Sequence, residues 1–389
     1  MLVFGNLITV LYICPDTSLG GSTRSLIDLI DSLKDKVQPI VLLPKAGPAL
    51  SLFEEKGVEC MVYPYTLLHQ FKRTSWRESF LHPWRISIIR YLRTDWKCAI
   101  HVSRAFRGRR IDIVHSNYSP VTIGCILSRI LKAKHVWHVR EFLDLHFKCA
   151  ILLGIKRLRR RISRADARVF ISHSVYEHWQ VKMRNSWVLW DAICSARTVP
   201  KILVEKQPFI LFCSYRLTEA KGARIAIEAF GKSLLSTRGF RLKMVGNCDD
   251  AFQQSLLETA ISQHCSDSVD FISCQDDVSV LFREASCFVM SSYYEGLGRV
   301  TAEAMLYGCP VVAHASGGTL DLVRNGITGH LFSSVEECAS KMRLVCSTDQ
   351  NSMIERAQRF VLENLSQEVY GKKIMEVYKT ILYTHEVKS

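Results

Sequence analysis

The sequence predicts an α/β protein made of two doubly wound parallel-sheet units in series, and three observations carry that prediction. Short β-branched or apolar runs alternate with amphipathic stretches. The rhythm stops and restarts midway. The 389 residues also exceed the size at which a single core usually stops growing. In the first series LITVLYI is followed by the helical SLIDLIDSLKD and the run VQPIVLLP, with IDIVHSN, AKHVWHV and ARVFISHS further on. Each run has strand length, and the apolar residues between runs recur at helical spacing, as βαβ units require. The second series opens at PFILFCSY (208–215) and continues through FRLKMVGN, SVDFISC, ASCFVMSS and PVVAHAS.

Between the two series, CSARTVPKILVEKQP is polar and lacks an apolar period, so it reads as a linker. The expected division is 1–200, 206–365 and a terminal stretch 366–389. In that last stretch Val369, Ile374, Val377 and Ile381 are spaced along one face of an amphipathic helix.

Composition excludes several classes. Hydrophobic residues make up 48% and charged ones 23%, the values of an ordinary soluble protein rather than a disordered one. The 14 cysteines form no C-x-x-C pair, and Cys14, Cys213, Cys287 and Cys309 sit in apolar runs. They read as reduced, mostly buried thiols of a cytosolic protein. No apolar run reaches the roughly 18 residues that span a bilayer, and the opening MLVFGNLITVLYIC reads as a buried strand.

Charge is the uneven part of the composition. Residues 1–205 hold 32 Lys and Arg against 16 Asp and Glu, whereas residues 206–389 hold 19 against 21, so the formal +14 belongs to the first half. Such a field attracts nucleic acid, anionic headgroups or phosphorylated substrates. Within residues 69–110, Trp76, Phe80, Trp84, Ile88, Ile89 and Trp96 are interleaved with Lys72, Arg73, Arg77, Arg85, Arg90, Arg93, Lys97, Arg104, Arg107, Arg109 and Arg110. A second basic run, GIKRLRRRISRADAR, follows Leu153. Charge runs are usually solvated faces, but tryptophan among arginines also suits an interfacial helix at an anionic membrane.

Four groups of residues carry chemistry. In SSYYEGLGRVTAEAM (291–305), Glu295 and Glu303 stand eight apart. The first lies in the turn after a strand and the second about two helical turns further on. Gly296, Leu297, Gly298 and Arg299 open that helix, whose free backbone N–H groups suit an anionic or sugar ligand. In SYRLTEAKGARIAIEAF, Arg216 and Lys221 stand at a strand-to-helix turn, where two cations can converge on a diphosphate. Gly20 and Gly21 open a helix after the first strand, without a G-x-G-x-x-G or Walker pattern. His138, Arg140 and Glu141, in HVWHVREFLD, follow a strand at the end where doubly wound sheets take ligands.

The stretch EGLGRVTAEAMLYGCPVVAHASGGTLDLVRNGITGHLF resembles the donor-site region of family 4 retaining glycosyltransferases of the GT-B fold. The likeness rests on E-G-L-G, E-A-M, G-C-P-V, G-G and the closing T-G-H-L, and it extends more thinly over nearly the whole chain. The resemblance implies two Rossmann-like domains facing a central cleft. The N-terminal domain would be the acceptor side, the C-terminal one would bind the nucleotide sugar, and the terminal helix would pack back on the N-terminal domain. It further implies that Glu295 contacts the donor sugar, Glu303 the ribose, Arg216 and Lys221 the diphosphate, and that Gly296 to Arg299 offer backbone N–H groups. Gly20 and Gly21 would lie near the donor phosphates, His138 would contact the sugar, and Glu141 with Arg140 would serve the acceptor side. Tyr215 and Ser273 stand where the family usually has glycine.

The expected reaction is metal-independent, retaining transfer of a hexosyl group from a nucleotide-diphosphate sugar, with that sugar as substrate and no cofactor. In the resembled family R-E-F follows the histidine in many polysaccharide-assembly members, and a basic, aromatic-studded first half in a cytosolic protein fits a peripheral enzyme of polysaccharide or O-antigen (lipopolysaccharide) assembly. The expected acceptor is therefore a polyprenyl-diphosphate-linked or other lipid-linked saccharide, met by a cytoplasmic enzyme peripheral on the inner face of the plasma membrane. Two other readings stay open: a nucleotide-sugar epimerase of GT-B fold, and a basic nucleic-acid-binding protein. No RNP, zinc or helix-turn-helix signature supports the latter, and no nucleic-acid partner is expected.

Overall fold

The computed structural model describes residues 7–383 except 19, 72–83, 146–148, 152–153, 182, 204 and 276, with backbone alone at 69–71, 84–87 and 149–150. The chain divides into two compact units, one comprising Met1–Ala192 with Gln367–Ser389, the other Ile193–Ser366.

The first unit carries β1 (Ile8–Ile13), β2 (Val37–Leu43), β3 (Glu59–Val62), β4 (His69–Phe71), β5 (Ile113–Ser116), β6 (Lys134–Val139), β7 (Cys149–Ile151), β8 (Ala167–Phe170) and β9 (Ser186–Val188). Seven strands form a parallel sheet in the order β3-β2-β1-β5-β6-β8-β9, while β4 and β7 pair separately and antiparallel. Val10, Leu11, Tyr12 and Ile13 of β1 are all fully buried, because a central parallel strand is covered on both faces. Leu26, Leu29 and Ile30 of the helix Gly21–Ser32 recur at i, i+3 and i+4 and pack on that sheet.

The helix Gln367–Tyr383 adds Tyr370, Ile374, Val377, Tyr378 and Ile381 to the same core. Val369, expected inside, is half-buried. The buried stripe runs through Tyr370 instead, in step with Ile374, Val377 and Ile381. Gly371 lets the helix approach closely, since a Cβ there would lie 2.1 Å from the carbonyl oxygen of Ser32.

The second unit carries β10 (Gln207–Arg216), β11 (Arg241–Asn247), β12 (Val269–Ile272), β13 (Ala285–Met290), β14 (Val311–His314) and β15 (His330–Phe332). Its parallel order is β12-β11-β10-β13-β14-β15. Phe212, Phe230, Phe282, Phe288 and Phe332 are fully buried around it, each worth roughly 1.5–3 kcal/mol of burial. The division between units falls at Ala192, not at 200–206. The stretch expected as a linker is tied to the second unit: Gln358 Nε2 donates to Pro200 O (2.8 Å), and Lys206 Nζ donates to Arg283 O (2.6 Å) and Gly308 O (2.8 Å). Polar side chains seal this segment, so no apolar period marked it.

In both sheets the chain winds outward from the first strand on one side and returns on the other. The reversals fall between β1 and β5 and between β10 and β13. The carboxyl ends of those strands are where such a sheet takes ligands. All the described cysteines are free. Cys14 and Cys309 are buried, and burial pushes each thiol up to about 12; Cys287 is buried too, whereas Cys213 is only half-buried. Of the aromatic-basic segment, Lys72, Arg73, Trp76, Arg77 and Phe80 lie outside the described residues, as do the side chains of Trp84 and Arg85. On the helix Trp84–Ala105, Ile89, Leu92 and Trp96 are half or more exposed, beside exposed Arg90, Arg93 and Lys97. Among the described residues no helix is long and apolar enough to cross a membrane.

Candidate functional site

In the second unit, three loops meet beyond the carboxyl ends of β10, β13 and β14. After β10, Thr218 Oγ1 accepts from Lys221 N (3.3 Å) and starts the single turn Glu219–Lys221. Gly222 ends the turn at φ +75°, a left-handed conformation that glycine adopts without penalty. A Cβ at Gly222 would stand 2.2 Å from Ser291 O, and Ser291 Oγ donates to Gly222 O at 2.7 Å. The turn is thus fastened directly to the end of β13.

That fastening brings Lys221 to Glu295. Its Nζ lies 2.8 and 3.1 Å from the two carboxylate oxygens, with the side chains 27% and 17% exposed. Gly298, at φ +88°, then caps the helix Arg299–Leu306, which carries Glu303. Gly317 and Gly318 explain their pairing: a Cβ on Gly318 would lie 2.2 Å from Gly296 O, and Gly318 N donates to Glu295 O at 2.7 Å. Only bare backbone allows the two loops to touch there.

Of the residues predicted for this unit, Lys221, Glu295, Gly296, Leu297 and Gly298 come together in one cluster, with Arg299 and Glu303 on the helix that leaves it. Leu297 is buried rather than offered to a ligand, so it anchors the loop. Arg216 is exposed at the end of β10, and its neighbour Tyr215 is 61% exposed. Glu303 is half-buried and close enough to Cys213 to add to the burial that pushes that thiol up to about 12. Ser273 is exposed, and the next residue's N–H donates to Asn247 Oδ1 (3.3 Å).

Sequence reading missed the support behind Glu295. His314 Nδ1 lies 2.7 Å from Ser316 Oγ, which donates to Tyr293 O (2.5 Å), and the Tyr293 ring sits 4.2 Å from the His314 ring. Burial holds His314 below the usual imidazole range, and with the Ser316 hydroxyl hydrogen given to Tyr293 O, the Ser316 oxygen is left to accept from Nδ1 in the tautomer that carries its proton there. No spacing in the sequence signals this relay.

In the first unit, the carboxyl end of β6 holds a buried polar cluster. Arg140 is ion-paired with Asp191, both nearly inaccessible. Its Nη1 also reaches Asn117 Oδ1 (3.1 Å) and both ring nitrogens of His138 (3.2 and 3.3 Å). Asp191 accepts from Ser25 Oγ at 2.6 Å. His138 is fully buried; burial first, then the charge of Arg140, holds it well below the usual imidazole range. Its ring is therefore neutral and engaged by Arg140. The adjacent His115 bonds Tyr378 OH (2.7 Å) of the terminal helix.

Glu141 is buried and accepts from Ser119 N (3.1 Å); burial raises its carboxyl from 4.5 to about 7. A carboxyl titrating near neutrality at a strand end is the kind of group that functional sites use. Gly20 and Gly21 begin the helix Gly21–Ser32, and a Cβ at Gly21 would meet nothing within 4 Å. Asp191, Asn117 and Ser25 were not foreseen, because each lies far in sequence from the residues it serves.

Residues 196–360 match the family model described as glycosyl transferases group 1, which spans all three loops of the second unit. Over those 165 of the 389 residues the chain is similar to that family. The uncharacterized glycosyltransferase MJ1607 of Methanocaldococcus jannaschii is 24% identical over 62% of this chain and 63% of its own length. An uncharacterized glycosyltransferase of Haemophilus influenzae is 32% identical over 57% and 62% respectively. The matched stretch thus spans just under two thirds of each relative. Among solved structures, Anabaena Alr3699/HepE in complex with UDP superimposes with a TM-score of 0.77 at 20% identity, over 96% of this chain and 100% of that one. The fold is GT-B, with parallel sheets of seven and six strands.

Proposed function

We propose that this chain is a member of that glycosyltransferase family and transfers a sugar from a nucleotide-diphosphate sugar to an acceptor hydroxyl with retention at the anomeric carbon and without a metal. The observation that carries the proposal is the approach of Lys221 to Glu295 at the reversal of the second sheet, inside the segment that matches the family. Lys221, with Arg216 nearby in sequence, would neutralise the diphosphate as it departs and gains charge. Glu295 would accept from the sugar hydroxyls and Glu303 from the ribose, while Gly296 and Gly298 would give the ligand room at the main chain. The bond from the anomeric carbon to the phosphate oxygen breaks, and the acceptor oxygen bonds on the same face. Its proton passes to the departing phosphate. Catalysis then rests on positioning and charge stabilisation.

Gly20 and Gly21, His138, Arg140 and Glu141 are proposed as the first unit's contribution to phosphate, sugar and acceptor. Of these only Glu141 has a proton affinity near neutrality. The proposed acceptor is a lipid-linked saccharide at the cytoplasmic face of an anionic membrane, as in surface polysaccharide assembly. That reading is supported by Ile89, Leu92 and Trp96 exposed among arginines. A structural neighbour solved with UDP-glucose makes UDP-sugars the first donors to try. Thermal shift against UDP-, GDP-, ADP- and dTDP-sugars tests the proposal, because a specific ligand stabilises by RT ln(1 + [L]/Kd). One base should respond well above the others; no response to any of them would refute it.

A further inference from the structure

A cavity of about 430 Å³ opens on the first unit near the amino ends of β6 and β8, away from the carboxyl ends where doubly wound sheets take their ligands. Its size is that of a ligand pocket, about 300–1,000 Å³. Arg129, Lys132, Arg161 and Arg164 line it, with Asp166 as the one acidic group.

The charge there is not internally balanced. Asp166 is occupied elsewhere: its Oδ2 accepts from His135 N (2.8 Å), and its Oδ1 pairs with Lys134 (3.4 Å). Among the described residues, Arg129, Lys132 and Arg164 make no ion pair and are exposed. Arg161 donates to Tyr91 OH (3.2 Å) and lies close enough to the buried Asp95 for its charge to favour that carboxylate. His135 also faces the cavity, but burial brings it down to about 4, so it is neutral.

Basic residues do complement helix carboxyl ends, and the helices Ile123–Ile130 and Ile155–Ser163 both end here. Two such ends carry together about one negative charge and Asp95 offsets Arg161, which leaves about two of the four cations uncompensated. The rim is apolar. Leu92 lines the cavity and is 51% exposed, with Ile89 and Trp96 on the same helix face and Ile130 (40% exposed) following Arg129.

We infer that this cavity is a second phosphate site, which takes the phosphate of an anionic lipid headgroup while Leu92 and Trp96 enter the lipid surface beside it. Four converging cations match a phosphate rather than a neutral headgroup, and the exposed apolar rim selects a lipid-borne phosphate over a soluble one. The inference rests on the membrane part of the proposed function and is independent of the donor.

The test compares wild type, the triple variant Arg129→Gln/Lys132→Gln/Arg164→Gln, and a control that removes three exposed charges elsewhere on the same unit, Lys34→Gln/Lys36→Gln/Lys379→Gln. Co-sedimentation uses phosphatidylcholine vesicles with and without phosphatidic acid, and pyrophosphate serves as the soluble probe in thermal shift, its response being counted only as the part that the first variant removes, so that binding at Lys221 drops out. All replaced side chains are exposed, so unchanged melting temperatures report intact folding. The expected result is loss of phosphatidic-acid-dependent binding on the order of 100-fold in the first variant, at about fivefold per charge, and little loss in the control. Leu92→Ser/Trp96→Ser should weaken vesicle binding and leave the pyrophosphate response intact. Equal losses in both charge variants would mean diffuse attraction and overturn the pocket while leaving membrane binding standing. A pyrophosphate response without vesicle binding would overturn the lipid assignment. Wild type that binds neither probe would overturn the inference and the membrane proposal together, with the donor response still separately measurable.

Discussion

Glu295→Gln should tighten binding of the free nucleoside diphosphate while depressing sugar transfer, two effects of opposite sign from one substitution. With both oxygens of Glu295 within 3.1 Å of Lys221 Nζ, the lysine must give up that pair to meet a diphosphate. The pair is partly screened, at 27% and 17% side-chain exposure, so its worth lies near the top of the surface range, about 1 kcal/mol. Removing that competition should improve diphosphate affinity by about fivefold. The same substitution loses charged hydrogen bonds to the donor sugar, about 1.5–3 kcal/mol each, hence a fall of roughly 10- to 150-fold in kcat/KM. Lys221→Met should weaken the diphosphate by roughly 30-fold, the loss of one charge-assisted contact of about 2 kcal/mol. On that background Glu295→Gln should bring no gain. Calorimetric titration of all four proteins with the responding nucleoside diphosphate, alongside single-donor turnover, reads the cycle. The reasoning is refuted if Glu295→Gln weakens diphosphate binding, or if Lys221→Met leaves it unchanged.

Gly318→Ala should lower the melting temperature, because the new Cβ meets Gly296 O at 2.2 Å and a backbone shift costs about 1–3 kcal/mol; Gly21→Ala, with open space at its Cβ, should stay within about 1 kcal/mol by the same denaturation assay. Asp191→Ala leaves Arg140 buried without its counter-charge and should cost about 3–5 kcal/mol in urea unfolding; Ser25→Ala should cost far less. Glu141 is a carboxyl raised from 4.5 to about 7. The folded state therefore holds its proton more tightly than the unfolded state, stabilisation is complete below pH 4.5, and it is lost as pH rises to about 7. Wild type should thus lose stability relative to Glu141→Gln across that window, by an amount on the order of 3 kcal/mol; parallel melting-temperature profiles of the two proteins would contradict the raised carboxyl.

Most strands were legible because parallel strands buried on both faces are written as continuous apolar runs, and β1, β10 and β13 show this plainly. The edge strands β3, β9 and β15 are three or four residues long and half-exposed in part, too short for a period to appear. The glycines of the second unit were legible as a pattern, but their cause was not. Gly222 and Gly318 are required by backbones that lie 69 and 22 residues away in the chain, at Ser291 and Gly296. Lys221 and Glu295 were each assigned to the donor, yet their pairing with each other depends on the Gly222–Ser291 fastening. Arg140 read as an acceptor-side cation, but its pairing with Asp191, 51 residues on, was not legible. A sequence shows which charges are present, and only the fold shows which of them already have partners.

The most direct measurement is a crystal structure of the protein soaked with the nucleoside-diphosphate sugar that gives the largest thermal shift. The account predicts the diphosphate beside Lys221, the ribose against Glu303 and the sugar against Glu295, with the Lys221–Glu295 pair opened. Density for the ligand elsewhere, with that pair still closed, would contradict it.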